Sequence, residues 1–437
     1  MPDFKVIQDA VHGSVKVEGV FLRLLGRPEM QRLHGVHQLG LAHLVFPGAN
    51  HTRLEHSLGT FHIASRMAEA LQLDREEAEL VRAAALLHDL GHPPFSHTLE
   101  EVMADRLGVD HVDLSQSMIQ GRLRSITASE IDQLEDPASV QEVLEWEGIS
   151  PERVASLVLS PTAPEVPGQS RLDIEGGQAH FGQDNYLHQI IHGPVDADQM
   201  DYLLRDAHYT GVAHGTIDLD RLMQTIGLHH GDLVVHKGGV AAVEGLLVAR
   251  ALMYTSVYFH KTVRIAEMML CKAVEMADAS TIRGIHLEND GSLTEKLLAQ
   301  GGRPARIMTL LKYRELYKKC FTLSMVDMSE EEMERLMDLT EYRRRKEVEQ
   351  EIAARAGVHP SEVILDMPSR VMLISEPRIG KTEVPILDGE KVRPLSRHSP
   401  LAKALQSRNV FDWAIMVSCP ERHKVEVARA ANWAILS

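Results

Sequence analysis

Residues 84–97 read Ala84-Ala85-Leu86-Leu87-His88-Asp89-Leu90-Gly91-His92-Pro93-Pro94-Phe95-Ser96-His97. An apolar helical run leads into an adjacent His-Asp pair, and Gly91 and Pro93 predict that the helix stops just beyond it. His88 and Asp89 are therefore expected on the last turn, with His92 on the loop that follows. An imidazole beside a carboxylate suits a divalent metal. For the dipeptide alone, a capping Asp next to a solvated His is an equally good interpretation.

The composition is that of a folded globular protein, with 44% hydrophobic and 25% charged residues among 437. This length accommodates a main domain and one smaller unit. The net charge of −16 argues against broad non-specific binding to nucleic acid, but it leaves room for a local basic pocket that binds a small anion. We therefore do not expect a nucleic-acid partner.

The lack of a recognisable targeting signal and the three scattered cysteines lead us to expect a cytoplasmic location. The N-terminus carries no apolar signal segment, and no window approaches 18 uninterrupted apolar residues, so we expect no membrane span. Cys271, Cys320 and Cys419 are far apart and form no CxxC motif. Neither a disulfide framework nor a thiolate zinc site is expected, which fits a reducing compartment.

Residues 50–71 predict a helix that carries a further histidine. Asn50 or Thr52 can cap it, and apolar residues recur at steps of three and four, which turns one stripe toward a core. Arg53 and His56 are three residues apart and share a face. Taken alone, His56 is as easily a histidine on the helix surface.

Two later helical stretches carry polar stripes. In the first, Asp196 can cap a helix whose polar side chains step by three or four, namely Asp198, Asp201, Tyr202, Arg205 and Asp206. In the second, a mostly apolar helical region over 239–276, cations and phenols recur at steps of four, four and three, namely Arg250, Tyr254, Tyr258 and Lys261. Either stripe can be a solvated face with snorkelling side chains. In the first stripe, acids and a cation share the face with a tyrosine, which argues against a merely solvated face. In the second, cations and phenols on one face of an otherwise buried helix favour an anionic ligand.

Together these stretches predict a metal-assisted phosphoester hydrolase. Four candidate ligands from three helices would leave room for water at a catalytic metal, namely His56, His88, Asp89 and Asp198. Four cations suit a polyphosphate, namely Arg53, Arg205, Arg250 and Lys261. Of the imidazoles His92 and His111, one can donate a proton to the leaving oxygen, and Glu100 can orient it.

Four motifs carry a resemblance to a known family. They are Gln38-Leu39-Gly40, the run VFPGANHTRLEHSLG over 45–59, the run LHDLGHPPFSH over 87–97 and the run VDADQMDYLLRD over 195–206. In this order they resemble the HD-domain phosphohydrolase superfamily. Within it, they are most similar to the deoxynucleoside triphosphate triphosphohydrolases, especially the animal members that join a SAM domain to an HD domain. The resemblance covers residues 5–275.

The resemblance implies a mainly α fold, an HD-domain helical bundle, that hydrolyses dNTPs at the α-phosphorus to deoxynucleoside and triphosphate. It also implies a homo-oligomer, a dimer or a tetramer, and a divalent metal, for which Mn, Fe, Zn, Ni and Mg all suit the ligands. We expect residues 1–275 to form the HD core, with a mobile insertion at about 160–182, and residues 276–358 to form a helical extension. Strand-like runs followed by a helix predict a small α/β C-terminal domain over 359–437.

Carried over residue by residue, the resemblance implies three groups of site residues. The metal ligands would be His56, His88, Asp89 and Asp198. The catalytic pair would be His92 and His111, with Glu100 as the carboxylate that supports His111 as the proton donor. The sugar would meet Gln38, Leu39, Asp206 and Tyr258, and the phosphates would meet Arg53, Tyr202 and Arg250, with Lys261 as a further cation.

Three positions depart from the pattern of the animal enzymes. Gln199 stands where they have a lysine, so one phosphate contact is missing or is supplied elsewhere, for example by Lys261. Gly26 and His34 stand where they have an Asp and an Arg that recognise an activating guanine nucleotide. This argues against a guanine-specific activator site.

Two other functions fit the same residues. A broader HD nucleotide phosphatase or phosphodiesterase, acting for example on GTP or GDP, would use the same metal ligands. Selectivity at Gln38 and Tyr258 for the sugar would separate it from a dNTPase. A non-catalytic nucleotide sensor would need the metal only for structure and would have no use for a proton donor.

Overall fold

The computed structural model describes residues 4–159, 185–324, 336–367, 384–406 and 415–436. This part of the chain is mainly helical, which confirms the predicted fold class. Its α-helices are α1 Gly19–Leu25, α2 Pro28–Arg32, α3 Arg53–Ala70, α4 Arg75–Leu87, α5 Glu100–Leu107, α6 His111–Ile119, α7 Ala128–Ile131, α8 Val140–Trp146, α9 Pro151–Val158, α10 Asn185–His192, α11 Ala197–Thr210, α12 Leu219–Thr225, α13 Val240–Met253, α14 Lys261–Glu275, α15 Ala279–Arg283, α16 Asp290–Ala299, α17 Gly302–Lys312, α18 Tyr342–Ala356, α19 Pro400–Gln406 and α20 Lys424–Leu436.

Short strands form three small sheets in the described ranges. The strands are β1 Phe4–Asp9, β2 Gly13–Glu18, β3 Ile226–His229, β4 Asp232–His236, β5 Lys318–Leu323, β6 Ile364–Asp366, β7 Pro385–Asp388, β8 Lys391–Pro394 and β9 Ile415–Cys419. The sheets have the strand orders β1-β2, β3-β4-β7-β8 and β5-β9-β6. β4 and β7 pair in parallel, whereas the other pairs are antiparallel.

The sequence pattern did not reveal β3, β4, β5 or β8. β5 lies within residues 276–358, for which the sequence predicts helix. The prediction fails at β5 because its strand conformation depends on pairing with the distant β9. The strands of 359–437 divide between two sheets, since β7 joins β4 whereas β6 and β9 join β5. The domain boundaries stay predictions, and the insertion at about 160–182 falls outside the described residues.

Helix α4 ends one residue before the His-Asp pair. Leu87 is its last residue and His88 is its C-cap, so the pair begins the following turn rather than filling the last helical turn. Beyond Leu87 the backbone tightens to three-residue turns, in which Leu90 N donates to Leu87 O and His92 N donates to Asp89 O, each at 3.1 Å. These turns carry His88, Asp89 and His92 away from the helix axis and toward the site.

Helix α3 packs against both α4 and α11 in the main hydrophobic core. Thr52, rather than Asn50, begins α3 through a capping box with Glu55. Gly59 allows α3 and α11 to approach closely, because a Cβ at this position would lie 1.8 Å from Asp201 Oδ1 and 2.4 Å from Arg205 Nη2. A glycine is therefore required at position 59, because the buried side chains of Asp201 and Arg205 on α11 leave no space for a Cβ.

Replacing Gly59 with Ala is expected to destabilise the fold by about 1–3 kcal/mol, because the methyl group must displace a buried ion pair. Gly245 in α13 is a matched control, since a Cβ there meets nothing within 4 Å. Gly245→Ala is expected to be neutral or to stabilise by up to about 1 kcal/mol, because alanine favours the helix. Urea unfolding of both variants measures the difference, and equal free energies of unfolding would contradict the close approach of α3 and α11.

One helical run in the described part of the chain, Lys237–Tyr258, is long and apolar enough to cross a membrane, with 22 residues and a mean hydropathy of 1.5. Half of the most apolar 18-residue stretch of this run is buried inside the protein. Val243 and Leu246, which lie in the run, contribute to the main core. A buried core helix meets the same criteria of length and composition. The run is therefore weak evidence for a membrane span.

Candidate active site

The four predicted metal ligands lie together at the meeting point of α3, the turn after α4 and α11. His56 Nε2 lies 3.0 Å from Asp198 Oδ1 and 3.6 Å from Asp89 Oδ2. His88 Nε2 lies 3.3 Å from Asp89 Oδ1 and 3.7 Å from Asp198 Oδ1. His56, His88 and Asp89 are buried, whereas the Asp198 side chain is 30% exposed and forms the open edge of the cluster. The alternative of a surface histidine is wrong for His56.

This cluster has the chemistry of a cation site. Burial acts to lower the pKa of His56, but contacts with Asp198 and Asp201 outweigh burial and raise that pKa to about 10. The pKa of His88 is also raised, because Asp89 and Asp198 outweigh its burial. A pocket that draws protons onto two buried imidazoles attracts positive charge. Two imidazoles and two carboxylates therefore fit a divalent metal, and His56, His88 and Asp198 offer atoms within 4.8 Å of one another.

A second set of side chains fixes the orientation of the two histidines. His56 Nδ1 contacts Asp201 Oδ2 at 2.7 Å, and His88 Nδ1 contacts Ala85 O at 2.9 Å. These contacts direct the Nε2 atom of each ring toward the cluster, as is usual for histidines that bind metals. Asp201 also contacts His12 Nε2 from the β1–β2 turn at 2.6 Å.

Arg205 supports this arrangement instead of facing a polyphosphate. Its Nε and Nη2 donate to the two oxygens of Asp201 at 2.8 and 2.9 Å, and Nη1 lies 2.9 Å from Asp9 Oδ2. The side chain is fully buried. The prediction that Arg205 meets phosphate is therefore wrong, because both flanking carboxylates already hold its guanidinium group.

The predicted catalytic residues form a second group beside the cluster. The rings of His92 and His111 stack with centroids 4.0 Å apart, and His92 Nε2 lies 3.2 Å from Asp89 Oδ1. His111 Nδ1 contacts Glu100 Oε1, and His97 Nδ1 contacts the same oxygen at 2.9 Å. Burial acts to lower the pKa of His111, but Glu100 outweighs it and the pKa is raised. The described residues here, His92, His97, Glu100 and His111, also lie close enough to hold a metal.

Helix α11, helix α13 and the π-helical turn after α13 carry four of the eight predicted substrate residues, namely Tyr202, Asp206, Arg250 and Tyr258. Tyr258 donates from its hydroxyl to Asp206 Oδ2 at 2.7 Å, and its ring lies 6.2 Å from that of Tyr202, centroid to centroid. His51 Nε2 contacts Asp206 Oδ1 at 2.8 Å. Tyr258 is the last residue of a π-helical turn, Tyr254–Tyr258, which interrupts the helical region predicted over 239–276. Such turns often occur at functional sites.

Arg250 and Arg53 come from different helices, α13 and the first turn of α3. Arg250 is buried beneath Tyr254, and its Nη1 donates to Gln199 Oε1 at 3.0 Å. Gln199 thus orients Arg250 at the position where the animal enzymes have a lysine. Arg53 Nη1 donates to Asp89 Oδ2, and its Nε donates to Ser96 Oγ at 2.9 Å.

The segment that leads into α3 carries Gln38 and Leu39. Gln38 N donates to His51 O at 3.0 Å, which places Gln38 beside the histidine that contacts Asp206. Leu39 is partly buried against the core. Lys261 is the first residue of α14, and its phosphate contact stays a prediction.

Several predicted site residues bury a polar atom that makes no hydrogen bond within the described chain. These atoms include Gln38 Oε1, Arg53 Nη2, His88 Nε2, His92 Nδ1 and Arg250 Nε. Buried polar atoms are normally paired, so such a concentration needs an explanation. The imidazole nitrogens among these atoms can bind a metal ion, and the arginine N–H groups can bind an anion. The group therefore fits an anionic ligand bound together with a metal.

Sequence reasoning assigned no role to four residues that support this site. His12, Asp201, His51 and His97 all contact a predicted site residue or its carboxylate partner. His51 and His97 lie inside the quoted motifs, which was the available indication. His12 lies 189 positions from Asp201, and nothing in the local sequence pattern predicts that contact.

Comparison with known proteins identifies the family. A model of the HD domain matches residues 53–171, and a model of the HD-associated region matches residues 217–436, about half of the chain. An uncharacterized protein of Methanocaldococcus jannaschii is 32% identical over 98% of this chain and 82% of its own length. The chain belongs to the HD-domain phosphohydrolase family.

Two further similarities are informative within the HD-domain family. The deoxynucleoside triphosphate triphosphohydrolase SAMHD1 of Bos taurus is 26% identical over 72% of this chain. The chain spans about half of that relative, 52% of its length. Among solved structures, a hypothetical protein from Aquifex aeolicus has a TM-score of 0.69 and 28% identity, with 98% of this chain and 99% of that chain covered. The fold of the described residues is therefore similar to that of the Aquifex aeolicus protein.

Proposed function

We propose that this chain is a metal-dependent phosphohydrolase that cleaves dNTPs to deoxynucleoside and triphosphate. The observation that carries the proposal is the pairing of the His56–His88–Asp89–Asp198 cluster with an adjacent proton-donor group, His92, His111 and Glu100. A structural metal needs no such donor, so the pairing favours catalysis over a sensor. Similarity to SAMHD1 supports dNTPs as the substrate class.

The residues that would hold the metal are His56, His88, Asp89 and Asp198. A divalent metal bound by them supplies Lewis-acid activation of the attacking water and of the phosphoryl group. The protein keeps these ligands in place through Asp201 on His56 and the Ala85 carbonyl on His88. Arg53 holds Asp89 in position from the other side.

His111 is assigned as the proton donor to the leaving 5′-oxygen. Its Nδ1 faces Glu100, so the proton available for transfer lies on Nε2. The oxygen of water bonds to the α-phosphorus as the bond between that phosphorus and the 5′-oxygen breaks. One proton of the water is released to solvent, and the proton from His111 Nε2 goes to the departing 5′-oxygen. Positioned proton transfer of this kind typically contributes about 10²–10⁴-fold to the rate.

The remaining residues bind the two ends of the substrate. Arg250, Tyr202 and the unpaired Nη2 of Arg53 face the triphosphate, with Lys261 as a further cation. Gln38, Leu39, Asp206 and Tyr258 face the sugar. His51 and Tyr258 hold the two Asp206 oxygens in place, which orients the carboxylate toward a sugar hydroxyl. By the family resemblance, Tyr258 is the tyrosine that crowds the 2′ position of the sugar, and on that ground we assign to it the preference for deoxyribose.

Glu100→Gln is expected to move the alkaline limb of the pH–rate profile to lower pH. His111 must be protonated to act, so activity is present below its pKa and is lost as pH rises through it. Glu100 raises that pKa against the opposing effect of burial. Without the carboxylate charge, burial dominates, and the limb is expected to shift by about one pH unit or more. The measurement is kcat against pH for both proteins, and an unmoved limb would exclude the Glu100–His111 pair as the donor.

Product analysis tests the proposal. Purified protein is incubated with Mn²⁺ and each dNTP or NTP, with and without GTP, and the products are separated by ion-exchange chromatography. Deoxynucleoside and triphosphate are the expected products, and they are expected without GTP because Gly26 and His34 replace the guanine-binding residues. Diphosphate with inorganic phosphate, or turnover of ribonucleotides alone, would assign the chain to the broader nucleotide phosphatases. No turnover with any divalent metal would favour the sensor.

A further inference from the structure

The loop that carries His92 is held in place by Arg32 and by residues of the HD-associated region. Arg32 Nη2 donates to the carbonyls of Leu90 and His92 at 2.9 and 2.8 Å, and Arg32 Nη1 donates to Glu288 O at 2.9 Å. A Cβ on Gly35 would lie 2.8 Å from the Asn289 side chain. Residues 32–37 therefore lie directly against residues 288–290.

Asp290 makes the central contacts of this layer. Its Oδ1 accepts from Phe95 N at 2.6 Å. Its Oδ2 accepts from His37 N at 3.0 Å and contacts His37 Nδ1 at 2.6 Å. The residue is 5% exposed although it is the first residue of α16. One carboxylate thus joins the loop after the His-Asp pair to the segment that precedes Gln38 and Leu39.

The backbone that Asp290 holds is strained. Phe95 and Ser96 adopt successive left-handed conformations, with φ of 59° and 56°. Residues other than glycine rarely adopt such angles, and the surrounding structure must enforce them. The hydrogen bond from Phe95 N to Asp290 lies at the first of the two residues, so it restrains the conformation where the strain begins.

A chain of hydrogen bonds connects this strained turn to the metal cluster. Ser96 Oγ donates to His37 O at 2.6 Å and accepts from Arg53 Nε at 2.9 Å. Arg53 in turn donates to the metal ligand Asp89. A displacement of Phe95 and Ser96 would therefore also move Arg53, the proposed phosphate-binding residue, and the neighbouring His92.

We infer that Asp290 is a positioning residue of the active site, supplied by the HD-associated region. It acts through Phe95, Ser96 and His37 and has no expected contact with substrate or metal. The HD domain alone, residues 53–171, thus lacks part of the framework that orients its own phosphate-binding arginine. The kinetic part of this inference rests on the proposed function, whereas its structural part does not.

The test compares full-length wild-type protein with Asp290→Asn and with Glu295→Gln. Asparagine keeps the size of the side chain but offers only one acceptor oxygen for the two backbone N–H groups and the His37 ring. Glu295 is exposed on the same helix, so its substitution removes the same charge without touching the loop. Hydrogen–deuterium exchange followed by mass spectrometry reports on residues 88–97, and metal content and kcat are measured on the same preparations.

We expect exchange in residues 88–97 of Asp290→Asn to rise by about tenfold or more while α13 and the β1–β2 hairpin keep their protection. We expect kcat to fall by about 10–100-fold with metal content unchanged, because a misplacement of 1 Å can have an effect of this size. Unchanged exchange in the loop, faster exchange throughout the protein, or unchanged kcat beside a loosened loop would each overturn the inference. If the wild-type protein hydrolyses no nucleotide, the proposed function fails, and the exchange comparison alone decides the role of Asp290.

Discussion

Replacing His88 with Ala is expected to abolish metal binding and to lower turnover by at least about 1,000-fold, or roughly 4 kcal/mol of activation free energy. His88 Nε2 faces both Asp89 and Asp198 and makes no hydrogen bond to any residue that the structure describes. Its removal takes away one of two imidazole ligands and leaves one imidazole and two carboxylates, so metal binding is expected to weaken strongly. Inductively coupled plasma mass spectrometry gives the metal content, and far-ultraviolet circular dichroism gives the helicity, which is expected to stay near that of the wild type.

His208→Ala is the matched control for that experiment. His208 lies on α11, the same helix as Asp198, but it is exposed and takes no part in the cluster. This variant is expected to retain both its metal and its turnover. If His88→Ala kept a full complement of metal and wild-type turnover, the assignment of the metal site to this cluster would be wrong.

Replacing His111 with Ala is expected to lower kcat by about 10²–10⁴-fold while the metal content stays at the wild-type value. The variant removes the proton donor but leaves His56, His88, Asp89 and Asp198 in place. The KM for the nucleotide is expected to change much less than kcat, because the proton transfer is made only in the transition state. Steady-state kinetics and metal analysis on the same sample provide the measurement.

His97→Ala distinguishes this role of His111 from a second metal site. His97 contacts the same Glu100 oxygen as His111, but its side chain is 62% exposed. For a proton donor at His111, loss of His97 is expected to change kcat by less than about tenfold, which is below the effect of general acid catalysis. If both variants lost one equivalent of metal relative to the wild type, the group would be a metal site and the donor would have to be found elsewhere.

The sequence was sufficient to predict the metal cluster because its residues lie in motifs with fixed local spacing. His88 and Asp89 are adjacent, and Arg53 and His56 lie on one face of a well-capped helix. The structure brings these residues and Asp198 together as predicted. The residues alone grouped His92, His111 and Glu100, and the family resemblance was needed to choose His111 rather than His92 as the proton donor.

The framework behind the site was not predictable in the same way. Asp201 and Arg205 were included in a polar stripe, but their burial depends on Gly59 of α3 and on Asp9 from the N-terminal hairpin. Asp290 accepts a hydrogen bond from Phe95 in the loop after the His-Asp pair, although the two residues are 195 positions apart in the sequence. Such contacts follow from how the helices pack, and local patterns of hydrophobicity or charge do not encode them.

The short strands were missed for a related reason. β5 has the sequence Lys-Lys-Cys-Phe-Thr-Leu and lies among charged helical segments. Its pairing with β9 supplies the backbone hydrogen bonds that favour a strand there. Strand propensity depends strongly on such neighbours, so the chain on either side of β5 gave no local indication of it.

Hydrolysis of a dNTP in water enriched in ¹⁸O tests the central proposal most directly. The products are separated, and mass spectrometry locates the label. Attack of water on the α-phosphorus places one ¹⁸O atom in the triphosphate and none in the deoxynucleoside, and this is the result we expect. Label in inorganic phosphate together with a deoxynucleoside diphosphate would show attack at the terminal phosphate instead, and it would contradict a triphosphohydrolase at this site.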